Sequence, residues 1–161
     1  GSVDELPCSV CDEESMLDLH VRATLVLTHA ALGPMTQRRA GGVINVSSVA
    51  AWAPIGTYSA HKAWVTAFSQ AVAGQVASSG VRVTALAPGY VRTEFHQRAG
   101  ITMDGKPAVV WLDADEVVEQ ALAAWRKGRV VVVPSARYKA VAGLLRNAPH
   151  ETIHRLRTRG K

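Results

Sequence analysis

The chain has 161 residues, 48% of them apolar, with a formal net charge of +5. That length suits one domain, and the apolar share excludes global disorder. No apolar run reaches the ~18 residues that mark a membrane span, and two cysteines in a chain this long exclude a disulfide scaffold and leave a reducing cytoplasm as the expected location.

The opening Gly1-Ser2-Val3-Asp4-Glu5 is acidic and lacks the basic-then-apolar order of a signal peptide. Ser9 with Asp12 forms a capping-box pattern, and helical periodicity runs from about Asp12 to Gln37. Met16, His20, Ala23, Leu27 and Ala31 share one face, while Leu17, Val21, Leu25, Leu32 and Met35 keep much of the rest apolar. Such a helix is expected to be buried on more than one side. Gly41-Gly42 breaks it, and Val43 to Ser47 reads as a short β-branched strand. After the loop Ala53-Pro54-Ile55-Gly56, a second helix is predicted over 57–79, stopped by Gly80. Val81 to Ala87 is a second strand, ended by Pro88-Gly89.

Tyr90 to Leu112 has weak periodicity and is read as a long excursion with short helices, the kind of segment that covers a binding site. Asp113 and Glu116 open a third helix that ends at Gly128, and Val130 to Val133 forms a third strand closed by Pro134. A last helix covers roughly Ala136 to Arg146. Strands alternating with helices predict parallel pairing with right-handed crossovers. The expected domain is 1–148, followed by a basic tail over 149–161. Arg155, Arg157, Arg159 and Lys161 in that tail have no interleaved aromatics for base stacking, so nucleic-acid binding is not expected.

The chemistry concentrates in three places. Tyr58 and Lys62 are four residues apart on one helix face. Ser48 closes the strand before them, and Pro88-Gly89 follows the next strand. These groups lie past the carboxyl ends of strands, where ligands bind in open α/β sheets. A phenol has an ordinary pKa near ~10, and a nearby ammonium favours its ionised form. Lys62 is expected to act on Tyr58 in this way, so that the phenol exchanges a proton with a carbonyl oxygen while a hydride reaches the carbon. Ser48 would orient the same oxygen, and Lys62 keeps donors for the hydroxyls of a cofactor ribose.

In this order the motifs resemble the C-terminal part of a short-chain dehydrogenase/reductase. Asn45-Val46-Ser47-Ser48 resembles that family's catalytic-serine strand, Tyr58-Ser59-Ala60-His61-Lys62 its Tyr-x-x-x-Lys helix, and Pro88-Gly89-Tyr90-Val91-Arg92-Thr93 its turn at the nicotinamide. The similarity runs from about Met16 to Arg137. It implies Ser48, Tyr58 and Lys62 as catalytic residues, NADP or NAD as cofactor, and Pro88, Gly89, Val91 and Thr93 beside it, with Val91 and Thr93 at the carboxamide. His20 stands where the family carries an asparagine that supports a water relay to the lysine, and is a fourth catalytic candidate. The shorter spacing before Tyr58 leaves both Ser47 and Ser48 as candidates to face the substrate, with Ser48 preferred.

The implied fold is the C-terminal half of a Rossmann-type doubly wound α/β domain, with about three parallel strands and flanking helices. The sequence contains no Gly-x-x-x-Gly-x-Gly and no Asn-Ala-Gly, so the strand at Val43 is expected to form an open edge. The implied activity is carbonyl–alcohol interconversion on a small molecule. The alternative is a truncated, inactive homologue unable to hold the dinucleotide. Homo-oligomerisation through the two long helices is also implied.

Other motifs carry less. His150-Glu151-Thr152-Ile153-His154 fits a zinc-protease pattern, but it follows Pro149 in the basic tail. Cys8-Ser9-Val10-Cys11 follows no strand, and no metal site is expected. Trp52, Trp64, Trp111 and Trp125 are expected in the core or at an interface, with Trp111 and His96 as possible pocket walls.

Overall fold

A computed structural model describes residues 9–53, 56–93 and 107–147. Ser9 opens the first helix by a reciprocal cap, its hydroxyl accepting from the Asp12 N–H while the Asp12 carboxylate accepts from the Ser9 N–H. Helix α1 (Val10–Leu17) passes through a π-helical turn (Asp18–Arg22) into α2 (Ala23–Gln37). The expected long helix is therefore present, but it is widened at Asp18–Arg22 and is not buried on several sides. Thr28 is the one buried residue of α2, and Leu19, Leu25, Val26 and Leu27 are 67%, 40%, 54% and 68% exposed. Periodicity reports which faces are apolar, whereas burial depends on what is available to cover them. Here Leu32 and Met35 reach the sheet's core and the other flank does not.

Strand β1 (Gly41–Val46) pairs in parallel with β2 (Val81–Leu86), from Gly41 opposite Val81 to Val46 opposite Leu86. Between them runs α3 (Thr57–Gln75), which ends through a 3-10 turn at Ala77–Ser79. Gly80 then adopts a left-handed φ of 76°. A Cβ there would lie 2.5 Å from the Arg39 carbonyl, so a residue without one is required. Two further short strands, β3 (Tyr90–Val91) and β4 (Trp111–Leu112), pair with each other in parallel. The stretch from Tyr90 to Leu112, expected to be a long excursion with short helices, thus contributes two strand pieces, which two-residue lengths leave without a legible period. Asp113 caps α4 (Ala114–Arg126) by accepting from the Asp115 and Glu116 N–H groups. Strand β5 (Val131–Val132) joins β2, and α5 (Ala136–Asn147) follows.

The described sheet has the order β1-β2-β5, all parallel. Alternate strand residues feed two cores, as the pleat requires. Val43, Val81 and Val83 pack with Val72 and Val76 from the α3 side, and Ile44, Leu86 and Val132 pack with Val117, Ala121, Ala124 and Tyr138 from α4 and α5. Strand β1 is an edge of this sheet, with Val46 57% exposed.

The four tryptophans are half-buried at the rim of these layers rather than inside them. Trp64 stacks on Phe68, Trp125 donates to the Arg82 carbonyl, and the Arg146 guanidinium lies over Trp52. Cys11 is exposed with a free thiol. Cys8, His96, the His150–His154 motif and the tail over 149–161 lie outside the described residues, as does 94–106 of the expected covering segment.

A buried polar chain ties three elements at the height of the site. Thr28 of α2 donates to the Asn45 side-chain oxygen at 3.2 Å, Asn45 donates to Ser69 at 3.0 Å, and Ser69 donates to the Val65 carbonyl at 2.7 Å. Satisfied buried polar groups of this kind hold one packing geometry. Asn45→Ala strands the Thr28 hydroxyl and is expected to cost about 1–3 kcal/mol, read as a lowered urea midpoint with an unchanged m value.

Candidate active site

Strand β1 leaves the sheet at Ser47 and Ser48, and successive residues of an extended chain point in opposite directions. Ser47 points inward and is 2% exposed. Its Oγ donates to the Lys62 carbonyl at 2.8 Å and lies 2.7 Å from Thr66 Oγ1. Ser48 points outward, capping the 3-10 turn Val49–Trp52 by accepting from the Ala50 N–H at 3.1 Å. Its side chain also reaches Tyr58, where it favours the ionised phenol. Of the two serines, Ser48 is the one brought to Tyr58, and Ser47 anchors the helix backbone.

Helix α3 presents Tyr58 and Lys62 one turn apart. The Lys62 amine donates to the Val46 carbonyl at 3.0 Å and sits 5.5 Å from the centre of the Tyr58 ring. Burial holds the Tyr58 phenol above its ordinary 10.0, and Ser48 offsets only part of that. Burial likewise holds the Lys62 amine below 10.5. The expectation that Lys62 lowers the Tyr58 pKa is corrected on this point. The ammonium is directed at Val46 and lies over the ring, so desolvation of the phenolate prevails.

His20 joins this group from the π-helical turn. Its ring meets the Tyr58 ring edge-on at 5.4 Å and the His61 ring at 5.9 Å. Burial, then the Lys62 charge, then His61, lower its pKa from 6.5 to about 4, so it is neutral at pH 7.

The turn after β2 adjoins Ser48, since the Val49 N–H donates to the Pro88 carbonyl at 3.0 Å. Tyr138 of α5 fixes this turn. A Cβ on Gly89 would fall within the Tyr138 ring, so the close approach requires glycine. The Tyr138 hydroxyl donates to the Val110 carbonyl at 2.6 Å and accepts from the Tyr90 N–H at 3.2 Å. Val91 is half-buried in β3 and Thr93 is exposed just beyond it. Trp111 in β4 lies against Tyr90, with ring centres 5.9 Å apart. Pro88, Gly89, Val91 and Thr93 thus lie along one edge, with Ser48, Tyr58, Lys62 and His20 grouped beside its start.

Sequence reasoning missed Tyr138, which contacts the turn across 48 residues and leaves no local signal. It also missed Ser47 as an anchor and His61 as a neighbour of His20. His61 was readable in principle, because it lies three residues after Tyr58 on the same helix face. Among the described residues no group of three or more His, Cys, Asp or Glu could hold a metal ion.

A sequence model for short chain dehydrogenase matches residues 7–104. Dehydrogenase/reductase SDR family member 4 from Bos taurus is 39% identical over 98 residues, which are 59% of this chain and 34% of that protein. This match spans about a third of the relative's length. A short-chain dehydrogenase from Sphingobium yanoikuyae, solved in complex with NADPH, is similar with a TM-score of 0.73 at 28% identity, covering 92% of this chain and 61% of that one. A 7beta-hydroxysteroid dehydrogenase is similar with a TM-score of 0.76 at 25% identity, covering 97% and 60%.

Tyr138→Phe removes both hydrogen bonds at the turn and is expected to cost about 1–3 kcal/mol, with the loss read in thermal unfolding. Because the His20 pKa is depressed in the fold, the unfolded chain takes up that proton first as the pH falls. Stability from neutral His20 is intact above pH 6.5, declines below it and levels off near pH 4. Urea midpoints between pH 7 and 4.5 should therefore fall less in His20→Asn than in the wild type.

Proposed function

Since the chain belongs to the short-chain dehydrogenase family, we propose that it carries the reaction centre of a carbonyl–alcohol interconversion dependent on NADP or NAD. The observation that carries this is the convergence of Ser48 on Tyr58, with the Lys62 amine 5.5 Å from the centre of the Tyr58 ring one helical turn away. Ser48 orients the substrate oxygen. Tyr58, with its pKa raised by burial, is a neutral phenol at physiological pH and is set to donate its proton as the carbonyl becomes an alcohol. In the reverse direction the same oxygen must first lose that proton, so alcohol oxidation should still be accelerating as the pH approaches 10.

The residues present fit one end of a nicotinamide dinucleotide. One of the three Lys62 N–H donors goes to Val46, which leaves two for ribose hydroxyls. Pro88, Gly89, Val91 and Thr93 follow the carboxyl end of β2, where the carboxamide would lie. The cofactor would supply the hydride. The sequence contains no glycine-rich phosphate loop, so none of its residues is assigned to the pyrophosphate.

The substrate in this proposal is a small carbonyl or alcohol compound. A second copy of the chain would cover the exposed apolar residues Leu19, Leu25, Val26 and Leu27. A cytoplasmic location belongs to the same proposal; among the described residues no helix is long and apolar enough to cross a membrane.

A second reading is a homologue without activity that does not hold the dinucleotide. It is favoured by β1 being an outer edge of the described sheet, with no described strand beyond it to carry a phosphate loop. Titration with NADPH and NADH separates the two. Saturable fluorescence enhancement, with turnover of a carbonyl panel that drops at least 100-fold in Tyr58→Phe, is the expected result. Absence of binding at millimolar cofactor would decide for the inactive homologue.

A further inference from the structure

Ser59 and Ala63 follow Tyr58 and Lys62 by one residue each, which turns them about 100° around α3. They belong to the wall of a pocket of about 500 Å³. The 3-10 turn Val49–Trp52 adds Ala51 and Trp52, and the last turn of α5 adds Leu145 and Arg146. None of His20, Ser48, Tyr58 and Lys62 lines it. The volume falls within the ~300–1,000 Å³ of small-molecule sites.

Three features of this wall attract an acceptor oxygen. The Arg146 guanidinium lies 5.1 Å from the centre of the Trp52 ring. A guanidinium held over a ring keeps its N–H donors, and among the described residues no carboxylate pairs with them. Ser59 is 5% exposed, and its hydroxyl is buried with no hydrogen-bond partner. Such orphans are rare, and one in a pocket wall marks where a ligand atom completes the bond. Gly56 brings no side chain to cap α3, so the positive end of this 19-residue helix adjoins the pocket without a side-chain cap.

We propose that this pocket binds an apolar monocarboxylate carrying one further acceptor oxygen. The carboxylate pairs with Arg146 beside Trp52, and the second oxygen accepts from Ser59 at the opening of α3. One cation suits one carboxylate, which Arg takes through two parallel N–H bonds. The rest of the wall is small and apolar (Ala51, Ala53, Ala60, Ala63 and Leu145), which suits an aryl or alkyl body. Binding here does not depend on the reaction assigned to Ser48 and Tyr58.

The probe is hippurate, a benzoylated glycine with one carboxylate and one amide oxygen, and hippuramide is its uncharged counterpart. The whole chain carries 15N at its tryptophan indoles, and Trp52→Phe identifies the Trp52 signal. Hippurate at neutral pH should shift that signal saturably, and hippuramide should bind about tenfold more weakly. Arg146→Gln should bring hippurate to the level of hippuramide. Ser59→Ala should weaken both probes about threefold or more, yet without loss of thermal stability, because it removes an unsatisfied group and no bond. Ala60→Leu, at an exposed position, fills the space and should abolish binding with the fold intact. Equal affinity for the two probes, an unmoved Trp52 signal, or wild-type hippurate binding in any of the three variants overturns the proposal. So does a lower unfolding midpoint in Ser59→Ala, which would show that the hydroxyl already has a partner. Hippurate retained beside NADPH supports the separate site, whereas displacement by NADPH would place hippurate in the cofactor's position and overturn it.

Discussion

The candidate site is built on the buried hydrogen bond from the Ser47 hydroxyl to the Lys62 carbonyl. It joins the end of β1 to the second turn of α3. With the Asn45–Ser69 and Lys62–Val46 bonds it fixes the strand against the helix, which keeps Ser47 in the interior and Ser48 at the site. The backbone ladder places the strand end, with the Ser47 N–H donating to the Leu86 carbonyl at 2.7 Å. The Lys62 amine then returns to the Val46 carbonyl. Residues 46–48 and Tyr58–Lys62 are thereby held in register by contacts that do not themselves touch a substrate.

Burial also sets the electrostatics. Tyr58, Lys62 and His20 are all displaced toward their neutral forms, the phenol upward and the two bases downward. A low-dielectric setting disfavours each charge separately, and the same setting strengthens any interaction with a charge that later enters. Each charge is therefore disfavoured at rest and responds strongly to whatever is placed beside it. The walls of the site are supplied from far along the chain, since Tyr138 on α5 fixes the Pro88-Gly89 turn next to Ser48.

Much of the apolar surface lies on the other side. Leu25, Val26 and Leu27 project from α2, and Val46 lies at the open edge of a three-stranded sheet. These exposed groups explain why the apolar faces of the long helix did not predict its burial. Hydrophobicity creates a tendency to be covered, but coverage needs a neighbouring layer, and the described sheet reaches only the Leu32 and Met35 flank.

By itself the sequence determined the alternation of strands and helices, the parallel sheet, the caps at Ser9 and Asp113, and the grouping of Ser48, Tyr58 and Lys62 at strand ends. These follow from short-range rules of periodicity, capping and i, i+4 spacing, which are written locally. Tertiary structure alone decided which serine faces Tyr58, that burial outweighs Lys62 at the phenol, that β3 pairs with β4, and that His20 and His61 meet. Each of these depends on distance through space and on the dielectric around a side chain, and both are set by residues far apart in the chain.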